Sequence, residues 1–319
     1  MPRDRSRVPW AALAVAASLA VTSPAGACGE RGAAPCLDAQ SAWLAPGRQG
    51  ASIVGAARTP PGGAATAGLA LGWMSRPIVL VAPAPDPDGR ELHLVDHALD
   101  LTWLLGLGIG AGVALELAAP VVLWQSGAGS DAAVSSRPAP LAPTAVRDPR
   151  IGLAAQVLGD DRSRAAATAR LVVVTPLGDE EALAGERSAV VAPGAAGGWR
   201  SGAWELVGAV DARFRPRVRL ADAILDDQLV AHVGSRLRLA ARDALSLTLD
   251  AWAAPVLATQ PRGDAVIPGE WSLGVGSRPA SAVSLHLSGG TGLPLGGGGA
   301  FAPGAPRARA TLVVTVHAE

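Results

Sequence analysis

Polar and apolar side chains alternate along much of this 319-residue chain. In residues 97–107 the even positions include Asp100 and Thr102, and the odd positions are His97, Leu99, Leu101, Trp103, Leu105 and Leu107. A period of two indicates a β-strand with one apolar face, since successive side chains of a strand point to opposite sides. The same alternation recurs in residues 113–118, 164–175, 204–214, 236–250, 282–288 and 307–316. The pattern predicts a chain built mainly of strands.

Residues 99–124 are long and apolar enough to resemble a membrane-spanning helix. Their middle, however, carries four glycines at alternate positions, Gly106, Gly108, Gly110 and Gly112. Glycine is costly inside a helix and natural where the chain reverses direction. We therefore predict two strands joined by a glycine hairpin, with Asp100 and Glu116 on the face opposite the leucines.

About twelve such strands fit between residues 65 and 318, separated by segments rich in Gly, Pro, Asp and Ser. Several runs exceed ten residues, which suits a tilted membrane strand of about 9–11 residues better than an ordinary strand of about 5–6. The predicted fold is all-β, an antiparallel transmembrane β-barrel of about 12 strands. A soluble β-sandwich shows the same alternation and stays open as an alternative.

The first 27 residues have the pattern of a secretory signal peptide. A basic start, "MPRDRSR", precedes an apolar stretch that ends in the small residues Ala25, Gly26 and Ala27. We therefore divide the chain into a signal peptide (1–27), an N-terminal periplasmic segment (28–64) and an outer-membrane barrel (65–319). Whether residues 37–64 plug the barrel or lie at its periplasmic mouth is left open by the sequence.

The chain has two cysteines, Cys28 and Cys36, both just after the predicted cleavage site. In an oxidising compartment they would form a disulfide that closes a small loop. Lipidation of Cys28 is the alternative, although Ala25 stands where a lipoprotein signal usually has leucine.

Composition narrows the possible functions. The formal net charge is zero, which argues against a nucleic-acid partner. No spacing matches a metal or cofactor site, so we expect no metal and no cofactor. Ser284, His286 and Ser288 share one strand face as in outer-membrane phospholipases, but Gly-Gly follows where that pattern has Asn-Gly. We therefore predict that the protein is not an enzyme and has no catalytic residues.

Several segments in a fixed order resemble the N-terminal β-barrel module of a family of large Gram-negative outer-membrane proteins. They are "ARTPPGGAATAGLALGWMSRPIVL", "LVDHALDLTWLLGLG", "APVVLWQSG", "LVVVTPLGDEEALAGE", "RPRVRLADAILDDQLVAHVGSRLRL" and "LSGGTGLPLGGG". In that family, calcium-binding type 3 repeats and an outer-membrane-protein-A-like domain often follow the barrel. Neither follows the last predicted strand here, so cell-wall anchoring is not expected.

The resemblance implies contact with outer-membrane lipid and with the barrel-assembly machinery. The last residues, "TLVVTVHAE", depart from it because they lack the terminal aromatic residue that such barrels usually present to this machinery. Aromatic girdles at the membrane interfaces would rest on tryptophans alone, namely Trp73, Trp103, Trp124, Trp199, Trp204, Trp252 and Trp271.

Charged residues on the polar strand faces are the candidate site. They are expected to line the lumen and set its charge preference: Asp100, Glu116, Arg170, Asp211, Arg213, Arg236, Arg238, Asp250, His286 and Arg309. The predicted function is a passive channel or transporter for small solutes in the outer membrane. The alternatives are a structural or surface-interaction barrel whose charges pair across a closed lumen, and a soluble periplasmic β-sandwich that binds a ligand.

Overall fold

The fold is described from a computed structural model of the chain. It covers residues 36–45, 57–82, 90–129, 140–160, 162–220, 223–239, 244–261, 263–280, 282–295 and 302–318. The predicted signal peptide and Cys28 lie outside the described residues. The pairing of Cys28 with Cys36 therefore stays a prediction, as does the domain division.

Fifteen strands make up most of the described chain. In chain order they are β1 Ala65–Ala82, β2 Arg90–Gly110, β3 Val113–Ser126, β4 Ala145–Val146, β5 Arg150–Leu158, β6 Ala165–Val174, β7 Val190–Ser201, β8 Trp204–Arg213, β9 Val218–Leu220, β10 Ala223–Leu225, β11 Gln228–Arg238, β12 Leu245–Ala253, β13 Gly269–Ala280, β14 Val283–Gly292 and β15 Ala308–Ala318. One turn of 3-10 helix, Glu180–Ala182, lies between β6 and β7. Among the described residues, no helix is long and apolar enough to cross a membrane.

The twelve long strands form one closed antiparallel sheet. Each pairs with its neighbours in the chain, and β1 pairs with β15 from Ala65↔Ala318 to Ser75↔Ala308. The two-residue β4 adds to β3, and β9 and β10 form a separate small hairpin. The predicted 12-stranded barrel is confirmed, and the β-sandwich is excluded because the sheet closes on itself.

The two ends of the barrel differ in the length of their connections. One end, here called the turn end, holds the short links at residues 111–112, 159–164, 202–203, 239–244 and 281–282. The other, the loop end, holds the longer links at residues 83–89, 127–149, 175–189, 214–227, 254–268 and 293–307. Outer-membrane barrels generally have short turns on the periplasmic side and longer loops on the extracellular side.

The outer face of the barrel is apolar and the inner face is polar. In β12, Leu249 is 51% exposed whereas Asp250, the next residue, is 4% exposed. Since neighbouring strand residues point to opposite faces, the exposed leucines point out of the barrel and the buried aspartate points into it. One predicted girdle residue is wrong, because Trp252 shares the inward face of Asp250 and is 2% exposed.

Residues 99–124 form the hairpin of β2 and β3. The turn is Ala111-Gly112, and both residues have positive φ, +49° and +75°, as a type I′ turn requires. Gly106 and Gly108 lie within β2 and not in the turn, which corrects part of the predicted hairpin. A Cβ on Gly108 would come within 2.0 Å of the carbonyl oxygen of Pro61. This glycine therefore lets the chain before β1 pack against the inner wall.

Candidate functional site in the barrel lumen

All ten predicted site residues lie on the inner face of the barrel. Along the strands they alternate with residues of the outer face, and their side chains are buried or half-buried. They are Asp100, Glu116, Arg170, Asp211, Arg213, Arg236, Arg238, Asp250, His286 and Arg309. Strand period and the closure of the sheet together place them there. Their role in passing solutes stays a prediction.

Two of these arginines form two-pronged ion pairs across an intervening strand. On β6, Arg170 donates to both carboxylate oxygens of Asp211 on β8, at 3.0 and 3.1 Å. Between them on β7 lies Gly194, where a Cβ would come within 2.0 Å of the Asp211 carboxylate. In the same way, Arg309 on β15 donates to Glu270 on β13 at 2.7 and 3.0 Å. These pairs tie alternate strands together inside the lumen.

Two other predicted residues contact neutral groups. Arg238 donates to the carbonyl oxygen of Gly202 in a turn. His286 Nε2 lies 2.9 Å from Thr248 Oγ1. The hydroxyl of Ser284 lies 3.1 Å from His317 Nε2, so the described contacts of Ser284 and His286 lead to different partners and not to each other. The described residues hold no group of three or more His, Cys, Asp or Glu arranged to bind a metal.

Residues 36–45, here called the inner segment, run inside the barrel. Near the loop end the backbone N–H of Ala39 donates to the carbonyl oxygen of Leu183, at 2.9 Å, and Asp38 bridges to Ala184. Deeper in the lumen Leu44 packs against Trp252 and against several residues of other strands. The sequence left the position of this part of the chain open, and the structure places it in the lumen.

Arg147 holds the start of the inner segment to the barrel wall. Its side chain is fully buried and lies between the carboxylate of Asp38 in the segment and that of Asp100 on β2. Arg147 precedes β5 and belongs to the loop end, where the two carboxylates raise the pKa of its guanidinium even against the opposing effect of burial. One arginine thus joins three parts of the chain.

Two further arginines surround Trp43 of the inner segment. The Arg213 guanidinium lies 3.7 Å from the centre of the Trp43 ring, and that of Arg150 lies 5.6 Å from it. Arg213 also donates to the carbonyl oxygen of Ser41 at 2.9 Å. Both distances to the ring are within the reach of a cation–π contact.

The chain is anchored a second time at the turn end, just before β1. Arg58 forms an ion pair with Glu205 at 3.3 Å. The N–H of the next residue, Thr59, donates to the side-chain oxygen of Gln156 at 2.9 Å. The N–H of Gly63 donates to the carbonyl oxygen of Gly108 at 2.7 Å. The described chain thus lies in the lumen at residues 36–45 and against the wall at the turn end at residues 57–64.

Small cavities border the inner segment. A cavity of about 20 Å³ is lined by Trp43, Arg150 and Arg213 among others, and one of about 30 Å³ by Trp43, Glu116 and Arg170 among others. Each holds about one or two water molecules. Trp43 lines both cavities and so fills part of the described lumen.

Apolar residues pack together at the loop end. They come from the inner segment, from the projecting ends of β1 and β2, and from three loops, and include Leu37, Ala39, Ile78, Leu80, Leu94, Val95, Leu141, Leu183, Val218, Leu220 and Leu225. From a fourth loop, Val256 and Val266 are partly buried and pack against them. Below them, the Asp148 carboxylate accepts the backbone N–H groups of Leu177, Gly178 and Glu186 at 2.6–2.9 Å. Burial raises the pKa of Asp148 to about 7. The loops are thus ordered by apolar packing and by a buried carboxyl group.

Sequence reasoning missed Asp38, Trp43, Arg147 and Asp148. The segment around Trp43, "QSAWLA", has no strand period, and nothing local shows that it lies in a lumen. The charge run Arg147-Asp148-Pro149-Arg150 at the start of β5 is the signal that could have been noticed.

No family model and no curated protein sequence matches the chain. Its fold is similar to that of the COG4313 outer membrane channel from Pseudomonas putida F1, with a TM-score of 0.60, 15% identity, and coverage of 83% of this chain and 98% of that one. It is also similar to the NanC porin, with a TM-score of 0.50, 6% identity, and coverage of 79% and 99%. At these identities the likeness concerns the fold alone. The chain has the fold of outer-membrane β-barrels.

Proposed function

We propose that this protein is an outer-membrane channel for passive diffusion of small solutes, closed at rest by its own inner segment. The observation that carries the proposal is the kind of contact that holds the segment. Asp38, Ser41 and Trp43 meet arginines of the wall through one ion pair, one hydrogen bond and ring contacts. Contacts of this kind exchange with water and ions more readily than an apolar core does.

The charged inner wall supports a role in passing hydrophilic solutes. The interior of a transmembrane barrel is polar, and a hydrophilic solute finds charged and hydrogen-bonding groups there. Here Arg170, Asp211, Glu270 and Arg309 face inward as fixed ion pairs, which keep the wall polar and rigid while the segment moves. Diffusion through such a lumen needs no cofactor and no covalent step.

The anchor at the turn end supports a movable segment that stays attached. Arg58, Thr59 and Gly63 fix the chain before β1, so the inner segment can leave the lumen toward the turn end and return. The predicted export signal, the apolar outer face and the similar folds support an outer-membrane location, with contacts to membrane lipid and to the barrel-assembly machinery.

The apolar packing at the loop end favours a second function. Leu37 and Ala39 join residues of three loops in one buried cluster. Apolar packing of this kind at the loop end is as compatible with a structural barrel, or with one whose loops bind a surface partner, as with a gated channel.

Single-channel recording in planar bilayers distinguishes the two. We expect wild-type protein to show infrequent steps of current, and the double variant D38N/W43A to stay open for longer. The variant W103A is the matched control because Trp103 lies on the outer face and is 44% exposed. Folded D38N/W43A protein without any current step would contradict the channel and favour the closed barrel.

A further inference from the structure

Three arginines at the loop end of the lumen receive partners from the inner segment. Arg147 contacts the Asp38 carboxylate, Arg213 contacts a segment carbonyl oxygen and the Trp43 ring, and Arg150 contacts the same ring. When the segment moves away, all three lose these partners together. Arg147 keeps Asp100, whereas the other two keep no carboxylate contact.

Arg150 and Arg213 differ from several other arginines of the lumen because they contact no carboxylate directly. Within the described chain, neither forms an ion pair with a carboxylate. They are 4% and 3% exposed, and Arg150 Nη2 and Arg213 Nε have no hydrogen-bond acceptor among the described atoms. By contrast, Arg170, Arg215 and Arg309 each contact a carboxylate at 2.5–3.0 Å. Two buried cations thus face the lumen with no carboxylate in direct contact.

The two unpaired arginines lie at the height where a solute would enter. Arg150 is the first residue of β5 and Arg213 the last of β8, both next to the loop end. They line the same cavity of about 20 Å³ beside Trp43. The space that Trp43 fills between them is therefore bordered by these two guanidinium groups. Three carboxylates also line the cavity, and each has another partner: Asp38 contacts Arg147, Glu186 contacts Arg215, and Asp148 accepts backbone N–H groups.

We propose that Arg150 and Arg213, assisted by Arg147, form an anion-binding stretch that makes the open channel select small organic carboxylates. This inference rests on the proposed channel function and names the class of its solute. A guanidinium presents a planar fork of donors that matches a carboxylate in a two-pronged contact. A carboxylate solute takes the place of the Asp38 carboxylate at Arg147 and of the Trp43 ring at the other two.

Charge explains why neutral and cationic solutes are disfavoured. Leaving buried cations without a counter-charge costs free energy, because burial removes the water that would otherwise solvate them. An anion that arrives as the segment leaves compensates both arginines. A neutral solute of the same size does not. Since the inner segment and an anion contact the same arginines, they compete for them.

Block of the KCl current by succinate tests the proposal, with uncharged succinamide as the matched probe. The recordings use full-length D38N/W43A protein, which is expected to be open, and the same protein carrying R150Q/R213Q. Neither glutamine substitution leaves a carboxylate without its partner, so the barrel is expected to fold, and heat-modifiable migration in gels checks this. The control is R236Q/R238Q, which removes two inward arginines of β11 next to the turn end.

We expect succinate to block the current and succinamide to leave it unchanged. The concentration for half-block should rise about tenfold or more with R150Q/R213Q, the size of one lost charge-assisted contact, and less than about threefold with R236Q/R238Q. Equal block with and without R150Q/R213Q overturns the anion stretch while the channel stands. Absence of any current step in every folded variant overturns the channel and the anion stretch with it.

Discussion

A single substitution, D38N, can weaken the contact between Asp38 of the inner segment and Arg147. The substitution D38N keeps the size of the side chain and an oxygen that accepts the N–H of Gln40, which lies 2.8 Å from Asp38 Oδ1 in the native protein. It removes the negative charge that faces Arg147. Because Arg147 keeps Asp100 as a partner, the wall itself is left satisfied.

The expected size of the effect follows from the burial of this contact. Asp38 is 9% exposed and Arg147 is 1% exposed. A hydrogen bond to a charged group contributes about 1.5–3 kcal/mol. Taking about 2 kcal/mol, and about 1.4 kcal/mol for each factor of ten, the fraction of molecules with a displaced segment rises roughly 30-fold.

Hydrogen–deuterium exchange followed by mass spectrometry measures this fraction. The reporter is the peptide that contains the Ala39 amide, which is protected by the carbonyl oxygen of Leu183. Its exchange rate in D38N should rise roughly 30-fold, in proportion to the displaced fraction. The control D96N removes a half-exposed carboxylate that pairs with Arg76 on the projecting ends of β1 and β2, and should leave the rate unchanged.

Two results would refute this reasoning. If the Ala39 peptide exchanges at the same rate in D38N and wild type, the ion pair does not hold the segment. If exchange rises equally in the strands, the substitution has destabilised the barrel as a whole and the segment does not move independently.

Three further predictions concern the wall and the loops. In G194A the added methyl group displaces Asp211 from Arg170, so the free energy of unfolding by urea in lipid vesicles should fall by about 1–3 kcal/mol. G197A should be neutral because a Cβ at Gly197 meets nothing within 4 Å. In R309Q the Glu270 carboxylate stays buried without its partner, so the free energy of unfolding should fall by about 3–5 kcal/mol; full additivity with E270Q in a double-mutant cycle would argue against the pair. Since the pKa of Asp148 is raised to about 7, the folded protein holds a proton that the unfolded chain releases near pH 4, and stability falls as the pH rises through this window. The loss of stability between pH 5 and pH 8 should be smaller in D148N, and an unchanged loss would contradict the assignment.

The barrel could be predicted from sequence because its strands carry their own signal. Leu249 and Asp250 show it in one step, since a period of two separates what faces lipid from what faces the lumen. Inward placement of Asp100 and Arg309 follows from the same rule. The tight turn at Gly112 is local as well, and needs only the preference of a type I′ turn for glycine.

The contents of the lumen could not be predicted, because they depend on contacts between distant parts of the chain. Asp38 and Arg147 are 109 positions apart, and nothing in the sequence near either residue indicates the other. The role of Gly194 is also hidden, since it appears only when the register of three strands brings Arg170 and Asp211 to either side of it. Strand period reports which face a residue is on, but not what it meets there.

The return of the chain to the wall at the turn end constrains how the barrel can be assembled. The inner segment precedes β1, and β1 is the strand that must meet β15 to complete the wall. Before β1 pairs with β15, the segment can reach the inner face through the open side of the sheet. After the pairing, it can enter only through an end of the barrel, past the inward side chains. Closing the seam around a segment already in place avoids that passage. The inner segment would then be in place before the wall is complete, and the pairing of β15 with β1 would enclose it.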